Sequence, residues 1–223
     1  MGEGMQHTWT GVRERVAALR EHGGASGVFG ARGHGFELQP PMSERDVRAL
    51  EAALGTELPA EYRSFLLTVG AGGAGPEYGL ATPLHGEGGW AWRGVGLAYE
   101  GITTAVSDAG LPFAPDEVQR LLDAHEGEEP EPDDCPDEEE FQRACRAWDD
   151  RGDELYDAQT AGAVFITEQG CGYNSLLVVT GEHRGTIWDD LRACDAGIVP
   201  KGWSFAAWYL AWLARAEAAA YGA

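Results

Sequence analysis

The stretch PMSERDVRALEAALGTELPAEYRSFLLTVGAGG, residues 41–73, reads as two helices joined by a tight turn. Ser43 stands three residues before Asp46, the spacing at which a hydroxyl caps a helix and a carboxylate answers it. Val47, Leu50 and Leu54 recur at helical spacing, and Gly55 offers the left-handed backbone that ends a helix. Pro59 suits the start of a second helix, because the amide hydrogen it lacks would find no partner there. Tyr62, Phe65, Leu66 and Val69 form its inward stripe, and Gly70 closes it. The spacing therefore predicts a helical pair with one buried side.

Upstream, Thr10 is expected to cap a helix striped by Val12, Val16 and Leu19 and ended by Gly23 and Gly24. VFGARGHGFELQPP (28–41) then reads as extended or looped. Downstream, YGLATPL (78–84) reads as a short strand, whereas GVGLAYEGITTAV (94–106) follows neither period. Further on the period changes to two. AVFITEQ (163–169), SLLVVTG (175–181) and GTIWDD (185–190) are β-rich runs separated by glycine-containing turns, as in an antiparallel meander. WSFAAWYLAWLARAEAAAY (203–221) closes the chain as a helix with Phe205, Trp208, Tyr209 and Trp212 on one face, spaced as a core stripe. The expected fold is α+β in a single domain over residues 1–223: an antiparallel or mixed sheet packed by N-terminal helices and a C-terminal aromatic helix.

Charge is uneven. Residues 116–157 hold 18 of the 37 acids and four arginines, a net of −14 within a total of −21. Inside that window EGEEPEPDDCPDEEE (126–140) has ten acids, no base and three prolines, so repulsion and proline oppose regular structure until a helix becomes feasible from Asp137. Two readings of this acidic insertion stand: a solvated, partly disordered excursion, or a surface for a basic partner. An acidic chain repels nucleic acid and anionic lipid, so neither is an expected direct partner. No apolar run is long enough to span a membrane. The N-terminus fits neither a signal peptide nor a myristoylation pattern, and a soluble, cytoplasmic protein is expected.

Chemistry-bearing patterns are weak. GAGGAG (70–75) matches G-x-G-x-x-G, but it follows a helix and precedes Pro76, the reverse of a dinucleotide fold; it reads as a helix exit. Cys171, His183 and Asp189 or Asp190 could in principle form a nucleophilic set. Cys171, however, lies between two predicted strands in a strongly acidic chain, where a thiolate is disfavoured. Its glycine neighbours are those of a turn. Cys135, Cys145, Cys171 and Cys194 lack CxxC spacing, and His7, His22, His34, His85, His125 and His183 lack metal-binding spacing. No cofactor, metal or catalytic residue is expected.

Three blocks resemble the SUKH superfamily and its SMI/KNR-like branch. In residues 41–73 a helix ends in LG, LP follows, and EYR leads into an apolar helix closed by glycines. EQGCGYNSLLVVTGEHRGTIWDD (168–190) is similar to the family's paired strands, and FAAWYLAWL (205–213) to its closing aromatic helix. Residues 85–162 depart from the pattern, although LPFAP (111–115) is similar to a proline-aromatic motif of bacterial members. The resemblance implies an α+β, non-catalytic protein-binding domain. Bacterial members are commonly immunity proteins that neutralise toxins, often nucleases or deaminases; a fungal branch regulates cell-wall synthesis. Combined with the charge, it implies an immunity protein for a basic, nuclease-like toxin domain, the alternative being a regulatory adaptor for an endogenous partner. Glu128, Glu129, Glu131, Asp133, Asp134 and Glu138 are the expected source of long-range attraction. Glu77, Tyr78, Tyr173, Asp189 and Asp190, at loop or strand ends, are the expected close contacts.

Overall fold

The computed structural model describes residues 8–22, 27–94, 104–105 and 108–222. Helix α1 (Val12–Glu21) and the short α2 (Ala31–His34) precede the pair read from residues 41–73, α3 (Glu44–Leu54) and α4 (Ala60–Thr68). The Ser43 hydroxyl accepts from the Asp46 amide, Gly55 closes α3 with φ 68°, and Val47, Leu50, Leu54, Tyr62, Phe65 and Leu66 are all buried. Two local expectations are corrected. Gly11, at φ 74°, occupies the cap position of α1 instead of Thr10, and 31–34 is helical where a loop was expected. Gly23 and Gly24 lie outside the described residues.

Strands β1 (Thr82–Gly86), β2 (Gly89–Arg93) and β3 (Thr104–Ala105) make one antiparallel sheet. The strand read over 78–84 thus begins four residues later, and most of 94–106 lies outside the described residues. After α5 (Pro115–Glu126) and α6 (Glu138–Ala158) comes the meander: β4 (Ala163–Gly170), β5 (Tyr173–Val178), β6 (Thr186–Asp190) and β7 (Ile198–Ser204), antiparallel in that order. Sequence reading missed β7, because Pro200, Lys201 and Gly202 break its alternation. Helix α7 (Phe205–Tyr221) follows directly, capped by Ser204.

The meander has two apolar faces. Val164, Ile166, Leu177, Val179 and Ile187 pack into the main core with α1, α3, α4 and α7. Ala163, Leu176, Val178, Trp188 and Ile198 form a second cluster with Phe113, the residue that leads into α5. The 78–81 segment lines the outer side of β4, with the Tyr78 amide on the Glu168 carbonyl at 3.2 Å and the Ala81 amide on that of Ile166 at 2.8 Å. The glycine run serves this junction. A Cβ on Gly73, at φ 95°, would lie 2.2 Å from the Glu37 carbonyl oxygen, so close backbone approach explains the glycine where phosphate binding does not.

One buried titratable group reports on this packing. His34 is 3% exposed and sits edge-on to Phe36 and Trp212. Its Nδ1 accepts from the Phe36 amide at 3.0 Å, which leaves the neutral ring with its proton on Nε2. Burial holds its pKa at about 4, below the ordinary 6.5. The unfolded chain therefore binds a proton near pH 6.5 while the folded chain refuses it until about pH 4. Stability from this group is full above that range and falls across it on acidification, by on the order of 3 kcal/mol. In paired urea titrations His34→Asn, whose Oδ1 can replace Nδ1, is expected to flatten the stability profile between those two pH values. An unchanged slope would contradict this.

Candidate partner-binding surface

The acidic window folds into a helical hairpin of α5 and α6. α5 buries only Pro115 and α6 only Leu155, so neither helix is held mainly by a core stripe. Local pairs support them instead: Gln119 with Asp123, Gln142 with Glu138, Arg143 with Glu139 and Glu140, and Arg151 with Glu154. Asp137 caps α6 through the Glu140 amide, so the helix starts where the sequence permits.

A reciprocal clasp joins the two helices. His125 Nε2–H donates to the Trp148 carbonyl at 2.9 Å, Trp148 Nε1–H donates to the His125 carbonyl at 3.0 Å, and the rings stack at 4.9 Å. Gln159 Nε2 donates to Gln119 Oε1 at 2.8 Å nearer the other end. Arg192 then fastens the hairpin to the sheet. Its guanidinium forks onto Asp190 with both bonds at 2.8 Å, donates to the Tyr156 carbonyl, and lies 3.9 Å over the Tyr156 ring.

The six residues expected to attract a partner keep their charge available. Glu128, Glu129, Glu131, Asp133, Asp134 and Glu138 are all exposed, along the 127–137 connection and the first turn of α6. No ion pair engages any of them among the described residues. The second set divides. Tyr78 and Tyr173 each lie beside Gly170 at the end of β4: Tyr173 pairs with Gly170, and a Cβ added to that glycine would touch the Tyr78 ring. Glu77 adjoins them, half-exposed at φ 54°. The Tyr173 phenol is raised above its ordinary pKa, first by its hydrogen bond to the Cys194 side chain.

The two aspartates are turned inward to partners of their own. Asp189 is held by Lys201, the chain's one lysine, at 2.8 Å, and also receives Gln169 and Ser175. Asp190 is buried against Arg192. Their charges are matched inside the fold, so they brace the surface and do not present it. Sequence reading missed Arg192, Tyr156 and the His125–Trp148 clasp. The signal was faint: a lone arginine just past DD, and one tryptophan in an acidic helix.

No catalytic set assembles around Cys171. Asp189 is engaged by Lys201, while exposed His183 lies against Glu182 and the Trp188 ring. Cys171 at φ 55° and Gly172 at φ 82° are the two central residues of a type I′ hairpin turn. At Cys135, burial and then the Glu140 and Asp134 carboxylates push the thiol pKa up, away from nucleophilic chemistry. Replacing Cys171 with Asn, which favours this turn, is expected to stabilise the protein by about 0.5–1 kcal/mol in urea unfolding. A destabilised variant would contradict the turn reading.

Residues 41–209 match the sequence model of the SMI1 / KNR4 family (SUKH-1), a span covering most of the chain. The chain belongs to this family. The matched span takes in the helical pair, both sheets and the acidic hairpin of this SUKH-1 protein. No curated protein and no solved structure gives a match. Among the described residues, no helix of the SUKH-1 chain is long and apolar enough to cross a membrane, and no three ligands group for a metal.

Proposed function

We propose that this SUKH-1 protein is a non-catalytic immunity-type binder that neutralises a basic, nuclease-like effector by direct contact. The observation that carries the reading is the array of exposed carboxylates between Glu128 and Glu138, in no ion pair among the described residues and held on a clasped helical hairpin. A protein that cleaves nucleic acid must present Lys or Arg to phosphate. An ordered acidic surface competes for those side chains and speeds their encounter with the binder. The test is co-expression with the products of neighbouring genes, using the wild type and a variant with Glu128, Glu129, Glu131, Asp133, Asp134 and Glu138 changed to their amides. The wild type is expected to co-purify with a basic toxic product and restore growth, and the variant to do neither fully. Equal capture by both would contradict the acidic role. Capture of a neutral housekeeping protein instead would favour a regulatory adaptor.

A further inference from the structure

Between α5, the end of α6 and the start of β7 lies a cleft of about 620 Å³. Its apolar part includes half-buried Leu122 and buried Ile198, while Asp116, Glu126 and Asp195 line it as exposed carboxylates. None of the three enters an ion pair among the described residues. The one cationic group in the lining, Arg192, is matched by Asp190. Among the described residues the cleft therefore carries uncompensated negative charge beside an apolar bed.

Tyr156 adds a further element. One guanidinium already lies 3.9 Å over its ring, and the residue remains 48% exposed. We infer that this cleft is the subsite for an arginine side chain on a loop of the basic partner, an inference that rests on the function proposed above. Arginine fits better than lysine because a planar guanidinium can stack on Tyr156 while its fork meets the carboxylates. The apolar bed takes the methylene stem. Sheet extension along β7 is the poorer mode of capture, since Pro200 removes a donor from the strand. The exposed acids of the connection then draw the partner in, and the cleft sets its orientation.

The test uses the full chain and a capped five-residue probe peptide with two arginines between glycines, followed by amide NMR shifts. Shifts are expected at Gln119 and across 195–199. The variant Asp116→Asn/Asp195→Asn should weaken binding by about tenfold, and Asp149→Asn/Asp153→Asn, equal in charge change, by less than about twofold. A matched lysine peptide should bind several-fold more weakly. Shifts spread over 128–140, equal losses in both variants, or no shifts in the cleft would overturn the inference. A toxin that still binds in that event leaves the proposed function standing. A cleft that takes the peptide in a chain that neutralises no toxin overturns the function and not the subsite.

Discussion

Replacing Phe205 with Ala is expected to lower the stability of the SUKH-1 chain by about 3–5 kcal/mol in urea or thermal unfolding. Phe205 is fully buried at the first position of α7, where helix, sheet and the 41–73 pair converge. Its ring meets those of Trp9, Tyr62 and Phe65 at centroid distances of 5.9, 5.0 and 5.3 Å, mostly edge to face. Truncation removes both the transferred apolar surface and the ring contacts, and the surrounding aromatics cannot close the hole without leaving their own rotamers. Phe205→Leu should cost clearly less, because it refills most of the volume. A Phe205→Ala variant within about 1 kcal/mol of wild type would show that α7 does not organise this core.

The second large effect is expected at Arg192. Changing it to Met strands the Asp190 carboxylate, buried and without its counter-charge, at a cost of about 3–5 kcal/mol. Asp190 and Arg192 side chains are only 7% and 10% exposed, so little solvent screening softens the loss. Asp190→Asn combined with Arg192→Met should recover much of the stability, since the isolated charge is then gone. Hydrogen exchange provides a second readout. Without the Arg192 bond to the Tyr156 carbonyl, amides of α5 and α6 should exchange faster while those of β5 and α7 hold. Unchanged exchange in the hairpin would mean that Arg192 does not fasten it to the sheet.

The parts of the fold legible in the sequence were those governed by local rules. Ser43 and Asp46 mark a cap, Gly55 a stop, and Leu176 to Val178 a buried strand, because each signal is set by neighbours a few residues away. β7 was hidden because Pro200 and Gly202 sit at its bulge, where tertiary pairing to β6 overrides the local pattern. The hairpin was half legible: helix start and charge could be read, but the His125–Trp148 clasp joins residues 23 apart and leaves no periodic trace. The candidate site divided in the same way. Exposure of Glu128 to Glu138 follows from composition, whereas the internal pairing of Asp189 and Asp190 depends on Lys201 and Arg192 arriving from beyond the strand.

Attraction of a basic partner by the acidic hairpin is measured most directly by the salt dependence of association. With the effector captured from the neighbouring genes, stopped-flow association should slow by at least about tenfold between roughly 0.05 and 0.5 M salt. The six-amide variant should associate slowly at low salt and respond little to its increase. A wild-type rate that holds constant across that range, or a variant that matches it, would contradict the electrostatic role of the hairpin.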